Sequence, residues 1–129
     1  MSTIFIQEIN DAIGAHGAWK LKLRTAISMG KSDVEPKTVR CDDRCAFGRW
    51  LYGPSIDART RAGKPYQVVH RLHREFHEAA ATVLESALAG RKDHATEVLD
   101  GDFRERSEKL VRALTKWKGE LQNSTFLGG

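Results

Sequence analysis

The chain has 129 residues, 40% of them hydrophobic and 29% charged, which is enough to bury one core without disulfides or other staples. No apolar run approaches the roughly 20 residues needed to cross a bilayer, so membrane insertion is not expected. The net charge of +4 comes from 21 basic residues interspersed with 17 acidic ones, with no basic run of five or six, so nucleic acid is not an expected partner. One domain is read over residues 1–122, followed by a flexible Gly/Ser-flavoured tail at 123–129.

In chain order, the N-terminus MSTIFIQE has no basic n-region, and its apolar stretch breaks at Gln7 and Glu8. It does not read as a signal peptide, and a cytoplasmic location is expected. The first periodic segment runs from about Thr3 to Met29. Phe5, Ile9, Ala12, His16, Trp19, Leu23 and Ala26 recur at alternating steps of four and three, one face of an amphipathic helix that Gly30 closes.

Cys41 and Cys45 follow, separated by three residues. A disulfide there would constrain little chain and is disfavoured in a reducing compartment, which leaves metal binding or thiol chemistry as the question. A short helix is expected over Arg44 to Tyr52. Asp42 or Asp43 would cap it and place Cys45 in its first turn, where the positive end of the dipole favours thiolate. Gly48 would let this helix approach a neighbour closely, and Phe47, Trp50, Leu51 and Tyr52 would anchor it.

A second long helix is predicted from Lys64-Pro65 to Gly90, with Val69, His73, Phe76, Ala80, Val83 and Ala87 on one stripe. A shorter helix should cover Lys92 to Asp100. Gly101, then Asp102 with Glu105, reads as a stop and a capping box opening the last helix, whose apolar face holds Phe103, Ser107, Leu110, Leu114, Trp117 and Leu121. No alternating β-branched segment occurs. The expected fold is all-α: an antiparallel four-helix bundle with an additional short helix carrying the cysteine motif.

His16 and His73 occupy stripe positions otherwise given to apolar residues, and His77 lies one turn beyond His73, about 6 Å away at Cβ. Burying several imidazoles together leaves nitrogens unpaired at roughly 1–3 kcal/mol each unless a cation accepts their lone pairs. Cys45 is the candidate fourth ligand. One thiolate with three imidazoles suits Zn2+. A di-iron site fits less well, because Glu8, Glu75, Glu78 and Glu85 fall outside the seam, and no Cys-x-x-Cys-His attachment sequence for haem is present. His70 could replace His77 or join the site, although Val69 takes the seam position and His70 reads as a rim residue. His94 reads as a surface residue, and Cys41 as a thiol outside the ligand set that oxidation could pair with Cys45.

His16 with Trp19-Lys20, then CAFGRWLYGP at 45–54, then His73-Arg-Glu-Phe-His77 is an arrangement that resembles the chemoreceptor zinc-binding domain family. The resemblance continues to Ser107, Leu110 and Trp117-Lys118 and so covers nearly the whole chain. It implies a cytoplasmic bacterial sensory domain, commonly homodimeric, attached to chemoreceptors or diguanylate cyclases. There, zinc occupancy or oxidation of the ligand cysteine alters the chemotaxis or cyclic-di-GMP output. Carried onto this chain, the resemblance makes His16, Cys45, His73 and His77 the zinc ligands.

No output domain is recognisable in the 129 residues, so an excised domain or a stand-alone sensor acting in trans is expected. Four protein ligands close a zinc site, and His-Arg-Glu-Phe-His lacks the zincin glutamate position, so no enzymatic activity is expected. The alternative is a metal-independent helical dimerisation or interaction module whose histidines merely pack.

Overall fold

In the computed structural model, which describes the backbone of residues 2–128 and the side chains of 4–122, every regular element is helical. Helices α1 (Ser2–Gly17) and α2 (Trp19–Met29) form nearly one rod, the segment expected over Thr3 to Met29. Ala18 keeps a right-handed helical conformation, and its N–H still bonds to Gly14 O at 3.2 Å. The rod ends where the sequence predicts. Gly30 takes φ 70°, a conformation open to residues without a Cβ, and returns its N–H to Ala26 O.

Three short helices follow: α3 (Pro36–Arg40), α4 (Ala46–Leu51) and α5 (Ala58–Ala62). Only α4 is expected from sequence. At five residues each, α3 and α5 are too short to display a period, although Pro36 in a first turn and Asp57 accepting from Thr60 N at 2.8 Å are ordinary start signals. Helix α6 (Lys64–Leu88) matches the second predicted helix, with Pro65 in its first turn and Gly90 at φ 77° just past its end.

The stop predicted at Gly101 is absent. Helix α7 (Lys92–Val98) passes through a π-helical segment, Leu99–Phe103, directly into α8 (Arg104–Gly128). Gly101 does not take a positive φ, and the apolar spacing explains why no break forms. Ala95, Leu99 and Phe103, all buried, follow one another at steps of four, a spacing that drifts around an α-helix and stays on one face in the wider π turn. The tail expected at 123–129 falls outside the residues whose side chains are described.

Helix α8 packs on both α1 and α6, α2 and α7 pack on α6, α3 covers α6, and α4 lies against α1. Tyr66 faces Trp117 and Phe76 faces Phe103, so α8 runs antiparallel to α6, and Lys118 Nζ donates to Asn10 Oδ1 of α1 at 3.1 Å. Leu51, Phe76, Leu99, Phe103, Leu110 and Leu114 fill the interior. Trp19, expected on the seam, is only partly buried. Leu23 and Ala26, on the same predicted stripe, are buried together with Ile27, while the Trp19 ring lies under the Lys22 ammonium at 4.9 Å.

The loop before α4 closes onto that helix so tightly that a Cβ on Gly48 would overlap the Asp42 carbonyl. That carbonyl is backbone, so a larger residue forces the loop off the helix. Gly48→Ala is expected to destabilise the protein by about 2–3 kcal/mol in urea denaturation. Gly119→Ala, in α8 with open space around the new methyl, should stabilise it by about 0.5–1 kcal/mol in the same assay.

Candidate metal centre

Four side chains from three parts of the chain meet beside the core. His16 lies in the last turn of α1, His73 and His77 are one turn apart on α6, and Cys45 is the residue immediately before α4. One nitrogen from each ring and the Cys45 sulfur all lie within 4.8 Å of one another. Cys45 Sγ is 3.4 Å from His73 Nε2 and 3.6 Å from His77 Nε2, and those two nitrogens are 3.1 Å apart. The His16 ring stands nearly perpendicular to both, at 5.0 Å and 5.5 Å between centroids. All three histidines are buried and Cys45 is half-buried.

The backbone fixes the orientation of two rings. His16 Nδ1–H donates to Ala12 O at 2.7 Å, and His77 Nδ1–H donates to Val39 O at 2.9 Å. Each therefore presents the Nε2 lone pair. Val39 belongs to α3, so this unforeseen helix positions His77, a role that no side-chain signal in the sequence announces. Among the described residues, buried His16 Nε2 has no hydrogen-bond partner, and neither has His73 Nδ1. An inward lone pair on a buried, unpartnered imidazole is what a ligated cation would satisfy, and the residues fit that group on this ground.

Cys45 sits differently from the sequence expectation. It is itself the N-cap of α4, its sulfur accepting the Gly48 N–H at 3.3 Å, and neither Asp42 nor Asp43 caps the helix. Asp42 instead accepts the Tyr52 hydroxyl and so braces the loop across the helix it precedes. Burial pushes the Cys45 thiol up, while the Gly48 and Phe47 N–H groups pull it down. The helix start alone therefore does not produce a thiolate; a neighbouring cation would favour it.

Desolvation also decides the imidazoles. It lowers His16 to about 4 and, with the charges of His77 and His16 adding to it, His73 to about 2. His77 is lowered by the same burial, opposed by its bond to Val39. The rings are thus neutral and ready to donate lone pairs near pH 7. Phe47 packs edge-on to His73 at 5.1 Å and Phe76 to His16 at 4.9 Å, which walls the donors with aromatic surface.

The remaining candidates lie elsewhere. His70 is partly buried between the Tyr52 and Tyr66 rings, and His94 is exposed with Nδ1 2.8 Å from Ser86 Oγ. The Cys41 thiol donates to Lys37 O. Glu75, Glu78 and Glu85 pair with Arg106, Arg74 and Arg40. Among the described residues, the four-residue group is the one cluster suited to a metal, and its mix of one sulfur and three imidazole nitrogens is the donor set of zinc.

Neutral buried histidines have a consequence in acid. Unfolded, each imidazole titrates near 6.5; folded, it titrates lower. As pH falls through 6.5 the unfolded chain binds more protons, and stability is lost. The melting temperature of metal-free protein should be level above neutrality and fall steadily from about pH 6.5 toward pH 4. His16→Gln should flatten that slope.

Comparison with curated proteins and with solved structures gives no match. A family model does match, that of the chemoreceptor zinc-binding domain, over residues 16–84, a span of 69 residues in a chain of 129. It opens on His16 and takes in Cys45, His73 and His77, and with the cluster those residues form it identifies the chain as a member of the chemoreceptor zinc-binding domain family.

Proposed function

We propose that His16, Cys45, His73 and His77 bind one zinc ion, and that the chain is a sensory domain whose output follows zinc occupancy or the oxidation state of Cys45. The observation that carries this reading is the convergence of the four donor atoms, with His16 Nε2 lacking any other partner. Bound zinc supplies positive charge that accepts the lone pairs and favours the thiolate. The scaffold is read as an antiparallel four-helix bundle with an additional short helix, α4, carrying the cysteine motif.

Cys45 is the switchable ligand. It sits at the start of a six-residue helix, whereas the three histidines are built into long ones, and it is the ligand that oxidants attack readily. Oxidising its sulfur takes a donor from the site and weakens the acceptor that caps α4 at Gly48 N–H. Phe47 and Trp50 carry a change in α4 to α1 and α8, because Trp50 packs on Phe5 at 5.3 Å and on Trp117 at 6.0 Å. The output is control of chemotaxis or cyclic-di-GMP signalling, exerted from a cytoplasmic homodimer on a chemoreceptor or diguanylate cyclase in cis or in trans. The domain itself is non-enzymatic.

Elemental analysis of the purified protein should find one zinc per chain. His73→Ala should abolish it, and Cys45→Ala should retain a weaker three-histidine site. No stoichiometric metal after zinc is supplied would leave the metal-independent helical module as the surviving reading. In the same preparations, peroxide should release zinc from the wild-type chain and leave the residual site of Cys45→Ala untouched; equal release from both would remove Cys45 from its switching role.

A further inference from the structure

The outer face of the α1–α2 rod carries residues that the core does not explain. Ile4, Leu21 and Met29 are 60%, 71% and 59% exposed, the three most exposed large apolar side chains among the described residues. Gly14 and Gly17 lie in the same helical run, where glycine is a weaker former than alanine, and a Cβ on either would meet nothing within 4 Å. No contact among the described residues requires them.

Taken at alternating steps of four and three, one row on this side is Ile4, Glu8, Asp11, Ala15, Ala18, Lys22, Thr25 and Met29. All but the half-buried Glu8 are exposed. The row lies one residue, about 100° of helix rotation, from the buried row that holds Ile9, Ala12 and His16. Its spacing is that of a heptad seam. The row is also complementary to itself when reversed: Ile4 comes opposite Met29, Glu8 opposite Thr25, Asp11 opposite Lys22, and Ala15 opposite Ala18. In that register the flanking row sets Leu21 beside Gly14, so an apolar side chain without cover meets a helix surface without a Cβ.

We propose that this face packs antiparallel against the same face of a second copy of the chain. The partner rests on the homodimer of the functional reading above; the surface and register rest on this helix face. Charge selects a copy over an unrelated helix. Asp11 and Lys22 form no ion pair among the described residues, Asp11 accepting only from Gln7 and Lys22 lying over Trp19. A two-fold axis between Ala15 and Ala18 joins each acid to the other copy's base, twice over. The small residues at that axis let the two backbones approach closely.

The test is sedimentation equilibrium of the full chain with zinc supplied. Zinc per chain and helical circular dichroism are measured on the same samples. The wild type should dimerise. Asp11→Lys and Lys22→Asp should each weaken the dimer by about tenfold or more, because each sets like charges opposite at two symmetric places. The double variant should regain wild-type association, with one zinc per chain throughout. A wild type that stays monomeric, or single variants that dimerise unchanged, would overturn the face. Weakened single variants without recovery in the double would overturn the register. Dimers that behave as expected but hold no zinc would instead overturn the metal reading and leave the face standing.

Discussion

Two backbone carbonyls, those of Ala12 and Val39, hold the Nδ1 protons of His16 and His77, and each ring consequently turns its Nε2 lone pair toward the same small volume. His73 enters that volume from one turn before His77 on α6 and Cys45 from the start of α4. Hydrogen bonding within the protein leaves His16 Nε2 without a donor. Burial keeps the rings neutral, so no imidazolium is available to supply one, and a thiol held protonated by the same burial offers one weak donor among several acceptors. The polar interior is therefore under-satisfied by its own groups, in a chain whose other buried positions are almost wholly apolar.

The geometry depends on how α4 is held. Gly48 permits the Asp42 carbonyl to lie against the helix, Tyr52 ties the Asp42 side chain down from the far end, and the Gly48 N–H fixes the sulfur. Tyr66 reaches across from α6 to donate to Leu51 O at 2.9 Å, which seats the end of α4 on the long helix that carries two of the histidines. A six-residue helix has little stability of its own. Here the aromatic contacts of Phe47 and Trp50 and these few hydrogen bonds supply it, so the position of Cys45 is a property of tertiary packing.

That division explains what could be read from the sequence. The long helices were legible because each presents an apolar stripe over many turns, and His16, His73 and His77 stood out as polar residues within those stripes. Cys45 was legible through the glycine and aromatics around it. An aspartate is the commoner cap and is what the sequence predicts for α4, and only the path of the loop reveals that the Cys45 sulfur takes that place. Helix α3 is marked only by Pro36 in its first turn, and its carbonyl to His77 leaves no trace, since a backbone acceptor has no residue type. Trp19 shares the stripe that buries Leu23 and Ala26, yet stays only partly buried at the junction of α1 and α2, where its ring meets the Lys22 ammonium.

The π segment at Leu99–Phe103 bears on how this chain tolerates changes of length. A strict α-helix that gains one residue rotates everything beyond it by about 100°, which would turn Leu110, Leu114 and Trp117 to solvent. The wider turn absorbs such a residue locally and leaves the apolar rows of α7 and α8 in phase on either side. Helices α7 and α8 are thus keyed together in phase by one wider turn, the former beside α2 and the latter beside α1.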